Sequence, residues 1–335
     1  MIHVKGKFDE EVLNEVYMMH TSTSPFYPIV ASCEISTAMM QGKRGRQLME
    51  KTLKRAYQFR QEIKRLRTLH QDWYYDVWQP EQIDALECWE LKPHEAWHGF
   101  AKEDMGHLFL DPLKITVLLP GLKQGQFEAL GIPAAIVSMY LDRHGIIVEK
   151  TGPYSMLFLF SIGINDAKAM RLLNVLNQFK RDFDQNLSIK AMLPDLYEAH
   201  PAAYASMTIQ GLAQRLHQQM EQHTLPEIMN AAFEVLPEVV MTPHQAYQQL
   251  IKGNTHVVRL RDMTDQISAV MLLPYPPGVP LIMPGERVTS ESRAALDYLI
   301  LLEDIGRALP GFEACIHGVS VDEQGYFTVK CVGAR

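Results

Sequence analysis

The sequence predicts a mixed helix and sheet protein, an α/β layer followed by a separate α+β domain. Three features carry that expectation. Short apolar runs alternate with helical stretches between Lys114 and Phe183, the pattern of strands covered by helices. A polar stretch from Asp184 to Ser188 then ends the last helical stripe and marks a boundary. Beyond it lie a proline-rich string at Pro274 to Pro280, a long helix and a closing strand. The chain has 335 residues, which is enough for two buried cores.

The elements follow in order. His20-Thr21-Ser22-Thr23-Ser24-Pro25 reads as a turn. Hydroxyls in a row before a proline do not make a helix interior, and Pro25 biases Ser24 towards an extended backbone. Leu48, Leu53, Ala56, Phe59, Ile63 and Leu66 fall on one helical stripe. Trp73 to Trp78 reads as a strand or an aromatic-rich extended segment, and Lys114 to Leu119 as a strand closed by Pro120-Gly121. Ile132 to Arg143 is helical, with Pro133 in its first turn and Gly145 past its end. Gly145 leads into a strand at Ile146-Ile147-Val148, and Met156 to Ser161 is a second, fully apolar strand. Asn165 or Asp166 caps a helix to about Phe183, with Met170, Leu173, Leu176 and Phe179 facing inward.

After the boundary, Pro194 to Pro201 is irregular and Ile209 to Met220 helical. Thr242-Pro243 starts a helix with a cap and a proline at its first position. Ile267 to Leu273 is strand-like and runs into Pro274-Tyr275-Pro276-Pro277-Gly278-Val279-Pro280, a rigid extended loop whose prolines offer a sheet no donor. Thr289 or Ser290 caps a helix from Ser292 to Leu309, stopped by Pro310-Gly311, and Tyr326 to Val332 closes the chain as a strand.

Composition narrows the function. The apolar runs are too short to span a bilayer, and the first residues lack the apolar core of a secretion signal. A cytoplasmic protein is expected, with neither membrane nor nucleic acid as partner, since the net charge is -7. Cys33, Cys88, Cys315 and Cys331 form no paired motif and read as buried small apolar residues, with no metal site. Charge is uneven: Lys43 to Arg67 holds ten Lys or Arg against Glu50 and Glu62. That stretch is either a solvated helix face or a docking surface for an anionic ligand or an acidic subunit face.

Generic chemistry motifs are missing: no nucleophile elbow, phosphate loop, dinucleotide fingerprint or zinc-protease helix occurs. His94 and His98 lie four apart, but Pro93 and Gly99 argue against a helix there, so both read as structural.

Longer strings carry the information. His20-Thr21-Ser22-Thr23-Ser24-Pro25-Phe26-Tyr27 with Ile29-Val30-Ala31-Ser32, and Trp97-His98-Gly99-Phe100 with Leu110-Asp111-Pro112-Leu113-Lys114, resemble the bacterial ornithine/lysine/arginine decarboxylases. So do Gly131-Ile132-Pro133-Ala134, His144-Gly145-Ile146, Leu157-Phe158-Leu159-Phe160-Ser161 and Pro274-Tyr275-Pro276-Pro277-Gly278. They occur in the family's order and span the chain from Met1 to about Val332.

The resemblance implies a small domain of the aspartate-aminotransferase type followed by the family's C-terminal domain. The expected division is 1–38 for the tail of the large cofactor-binding domain, 39–185 for the small domain and 186–335 for the C-terminal domain. It also implies pyridoxal 5'-phosphate (PLP) as cofactor, and dimers that assemble into decamers. The family's Schiff-base lysine lies upstream of the position matching Met1, so this chain alone is expected to be inactive.

Two sites are implied. Ser22 and Thr23 would contact the phosphate of the partner subunit's PLP; from spacing alone a plain hydroxyl turn serves equally. Glu149, in Val148-Glu149-Lys150-Thr151-Gly152-Pro153-Tyr154, would accept the distal ammonium of L-lysine from the end of a buried strand. A surface salt bridge near Lys150 is the plain alternative for Glu149. The string is most similar to lysine decarboxylases, with a non-catalytic partner, a truncated gene product or an ornithine decarboxylase fragment as other readings. Tyr275 and its prolines are expected near the substrate channel or as a rigid turn.

Overall fold

The computed structural model describes residues 5–22, 24–93, 95–100, 108–275 and 278–333. Contacts divide the chain into two compact units, residues 1–54 and 55–335.

The first unit is helical. Helix α1 (Glu10–His20) is capped by Asp9, whose carboxylate accepts from the amides of Glu11 and Val12, and Glu10 and Glu11 meet the positive end of its dipole. The hydroxyl string stays non-helical at Thr21, Ser22 and Ser24. It leads into α2 (Tyr27–Met40), which takes Pro28 in its first turn. Helix α3 (Gly42–Leu69) begins in the first unit and continues into the second. Of the apolar stripe expected on it, Ala56, Phe59 and Ile63 are buried and Leu66 partly so.

The second unit opens on a sheet. Strand β1 (Asp76–Val77) precedes β2 (Lys114–Leu118), the hairpin β3 (Leu122–Lys123) and β4 (Gln126–Phe127), helix α4 (Ala134–Arg143), β5 (Lys150–Thr151), β6 (Ser155–Leu159) and helix α5 (Asp166–Asp184). The sheet order is β1-β2-β6-β5, antiparallel throughout, with Lys114 opposite Leu159 and Leu118 opposite Ser155. Alternation buries Ile115 and Val117 of β2 and Met156 and Phe158 of β6 on one side. Ile136, Val137 and Leu141 of α4 and Leu172, Leu176 and Phe179 of α5 belong to the same core.

Three expectations fail here. Met170 is not inward; it is 54% exposed, because it lies about 120° around α5 from Leu176, and Ala169 and Leu172 fill the inner stripe. Ile146 to Val148 is not a strand. Gly145 turns the chain at φ +67, and the amide of Ile146 is spent on the Leu141 carbonyl at the end of α4. Ile147 is left 83% exposed, and Pro133 sits at the N-cap of α4 rather than inside its first turn.

The rest of the unit is α6 (Ile189–Met192), α7 (Pro194–Ala199), α8 (Pro201–Tyr204), α9 (Ile209–Gln222), α10 (Leu225–Glu234), β7 (Glu238–Val239), α11 (Pro243–Ile251), β8 (Thr255–Arg259), β9 (Leu273–Tyr275), β10 (Glu286–Arg287), α12 (Ala294–Ala308), β11 (Cys315–His317), β12 (Val319–Val321) and β13 (Phe327–Val332). The segment expected to be irregular is instead helical, since Pro194 and Pro201 each open a short helix. Thr242 and Gln245 form a reciprocal capping box on α11. Strand β13 is central in the antiparallel order β12-β13-β8. Ile267 to Leu272 contributes isolated bridges rather than a strand. Pro274 lies inside β9, opposite Ile316 of β11, where a two-stranded ribbon tolerates it. Pro276 and Pro277 lie outside the described residues. Helix α12 starts at Ala294, later than expected; the Ser292 hydroxyl accepts from the Thr289 amide instead of a cap forming at Thr289 or Ser290.

The cysteines differ from expectation as well. Cys33 and Cys315 are exposed, Cys88 is half-buried, and Cys331 alone is buried, with burial pushing its thiol up to about 12. Among the described residues no helix is long and apolar enough to cross a membrane.

Candidate functional site

The hydroxyl turn is built by α1 and α2 running towards it from both sides. The Thr21 hydroxyl donates to the Tyr17 carbonyl at 2.9 Å, finishing α1. The Ser22 hydroxyl donates to the Ser24 carbonyl at 3.3 Å and accepts from the Ser24 amide at 3.2 Å. Thr23 lies outside the described residues. Ser22 is exposed, so its oxygen can rotate towards an external acceptor at little cost.

Glu149 sits at a bend just before β5, not at the end of a buried strand, and is exposed. Its amide donates to the Leu157 carbonyl at 3.0 Å, which fixes the backbone against β6. Among the described residues no ion pair of Glu149 occurs, with Lys150 or otherwise. A rigid backbone therefore holds a carboxylate whose lone pairs are available to a cation. Ser22 and Glu149 belong to different units.

Two residues beyond Glu149 begins an apolar cavity of about 400 Å³. Thr151, Met139, Met220, Met229, Tyr275 and Tyr298 are among its lining residues. Tyr275 of the proline-rich string thus shares a cavity with the segment that follows Glu149.

Other sequence candidates resolve as structural. His98 is buried, its Nε2 facing the Lys92 carbonyl at 2.9 Å and its Nδ1 accepting from the Phe100 amide at 3.1 Å; His94 lies outside the described residues. The basic stretch is not one solvated face. Arg60 is fully buried, and its guanidinium donates to the carbonyls of Pro112, Trp78 and Lys114 and lies 4.7 Å from the Trp89 ring. Arg55 pairs with Asp166, Lys64 with Asp76 and Arg65 with Glu62. A signal for Arg60 existed: it continues the spacing of Ala56, Phe59 and Ile63.

A PLP site needs an amine free to form an imine. Among the described residues Lys180 is the one buried lysine, and it is committed elsewhere. Its ammonium lies 2.6 Å from Asp72 and 2.6 Å from Asp184, over the ring of Trp73, whose indole donates to Asp184. Both carboxylates hold that amine in place, so the one buried lysine among the described residues is not free to form an imine. Among the same residues no cluster of three or more metal-ligating side chains occurs.

Comparison with known proteins decides the family. The model of the Orn/Lys/Arg decarboxylase major domain matches residues 1–168, and that of the Orn/Lys/Arg decarboxylase C-terminal domain matches residues 226–333. The chain belongs to the Orn/Lys/Arg decarboxylase family. It is 53% identical over 331 residues to the constitutive lysine decarboxylase of Escherichia coli, covering 98% of this chain and 46% of the relative. The solved structure of that E. coli enzyme superposes with a TM-score of 0.92, covering 98% of this chain and 47% of the solved one. Identity to the inducible ornithine decarboxylase of E. coli is 31% over 342 residues. The chain spans about half the length of the curated relatives it matches.

Proposed function

We propose that this chain supplies the small and C-terminal domains of a PLP-dependent lysine decarboxylase, which converts L-lysine to cadaverine and carbon dioxide. One observation carries the choice of substrate: identity is 53% to a lysine decarboxylase against 31% to an ornithine decarboxylase. The division into 1–38, 39–185 and 186–335, the aspartate-aminotransferase type of the small domain, and a cytoplasmic homodimer that builds decamers belong to the same reading.

In that assembly PLP supplies the electron sink for the pair left behind as carbon dioxide departs. Ser22 and Thr23 donate their hydroxyls to the phosphate of the partner subunit's cofactor. Glu149 accepts the distal ammonium of the substrate, and an analogue without that cation leaves the carboxylate unpaired. The imine-forming lysine comes from the remainder of the major domain, so this chain alone has no activity.

Glu149→Gln tests the assignment in an assembly that carries the whole major domain. Removing a charge-assisted contact of about 3 kcal/mol lowers kcat/KM for lysine about a hundredfold. The fold stays intact, because Glu149 is exposed. Unchanged kcat/KM removes Glu149 from the substrate site.

A further inference from the structure

Helices α1 and α2 are folded but bury none of their residues. Helix α2 is the more telling. Its fourteen residues, Tyr-Pro-Ile-Val-Ala-Ser-Cys-Glu-Ile-Ser-Thr-Ala-Met-Met, carry one charge, Glu34. At about 100° per residue, Ile29, Val30, Ile35, Met39 and Met40 point to widely separated directions around the axis. There is no polar side to leave in water. Tyr27 is 75% exposed and Ile35 59%. A helix apolar all round is an interior helix, and patches of this kind mark contact surfaces.

We propose that α2, with the apolar residues Val12, Val16 and Met19 of α1, is a docking surface for the remaining portion of an Orn/Lys/Arg decarboxylase major domain. The occupant is argued from two observations. The major-domain model matches this chain in residues 1–168, while relatives such as the E. coli constitutive enzyme are only 46% covered; polypeptide of the same domain exists beyond this sequence in its relatives. The second is geometric: a second copy, meeting α2 from one side, covers one face and leaves the opposite apolar face wet, whereas insertion into a domain interior covers both. The inference rests on the proposed function, and it names which surface completes the enzyme.

The test is co-expression of this chain with a tagged polypeptide comprising the portion of the E. coli constitutive lysine decarboxylase that has no counterpart here. The complex is read by size-exclusion chromatography with light scattering, without reference to activity. The expected result is a stable complex with one copy of each polypeptide per unit. Ile35→Asp and, separately, Val30→Asp weaken it at least a hundredfold, since a carboxylate is then buried without a partner. Both positions are exposed in this chain, so circular dichroism and melting of the isolated variants match the unsubstituted chain. Val321→Asp, on exposed β12, leaves the complex unchanged.

Recovery of this chain without the tagged polypeptide overturns the proposal, whether that polypeptide is soluble or not. So does a complex indifferent to both α2 substitutions, or self-association of the isolated chain that Ile35→Asp abolishes while no mixed complex forms. A mixed complex that is sensitive at α2 yet makes no cadaverine supports the docking surface and rejects the lysine decarboxylase reading instead.

Discussion

Arg60 offers a sharp test of how the second unit is held together. It is fully buried and, among the described residues, hydrogen-bonds to no carboxylate; its guanidinium meets three carbonyl oxygens and the face of Trp89. Burial lowers its pKa to about 10. In Arg60→Met the side chain keeps most of its length, and the carbonyls of Pro112, Trp78 and Lys114 lose their donor. Leaving a buried acceptor unpaired costs roughly 1–3 kcal/mol, so three cost roughly 3–9. Removing the buried charge returns several kcal/mol of desolvation, though less for a weakly hydrated guanidinium than for an ammonium. The balance is a loss of about 2–4 kcal/mol. Arg60→Ala adds a cavity beside Trp89 and costs about 2 kcal/mol more. Urea unfolding followed by tryptophan fluorescence reads both. A Met variant as stable as the unsubstituted chain would show that the clamp contributes nothing, and a more stable one that desolvation outweighs the hydrogen bonds.

Two further expectations follow from side-chain geometry. A methyl group at Gly131 would lie 1.9 Å from Nδ1 of His217, where the ring bridges the Tyr154 hydroxyl at 2.6 Å and the Glu128 carbonyl at 2.9 Å. Gly131→Ala therefore breaks that chain at a cost of roughly 2–4 kcal/mol, a fall of several degrees in Tm by calorimetry, and costs less in a His217→Ala background; equal cost in both backgrounds would remove the clash as cause. The hydrogen bond from Lys180 holds the Asp72 carboxyl below its ordinary value of 3.8. A depressed carboxylate stabilises fully above about pH 4 and loses that contribution as the pH falls through its folded value. Urea midpoints of the unsubstituted chain and Asp72→Asn should thus converge from pH 6 towards pH 2, and a constant gap would contradict the pairing.

Much of this fold was legible because its period matched its burial. Strands β2 and β13 and helices α4, α5 and α9 have one apolar side and one more polar side, which periodicity finds, while β6 is legible as a short, wholly apolar run. Helix α2 escaped for the opposite reason: apolar on every side, it has no period. Ile146-Ile147-Val148 misled because β-branched composition does not reveal that the Ile146 amide is already spent on Leu141. Pro194 and Pro201 were read as interruptions where they open helices. Arg60 was counted with its charged neighbours although it lay on the apolar stripe. The hydroxyl turn around Ser22 could be read from residue chemistry alone. The role proposed for Glu149 could not; it rests on resemblance, and an exposed bend replaces the buried strand expected there.

We propose that this chain completes a lysine decarboxylase which it cannot form alone. The direct measurement is cadaverine production from L-lysine with PLP, by the purified chain and by its complex with the remaining portion of the E. coli relative. Cadaverine is expected from the complex and none from the chain. Cadaverine from the chain alone, or a stable complex that leaves lysine untouched, would contradict this proposal.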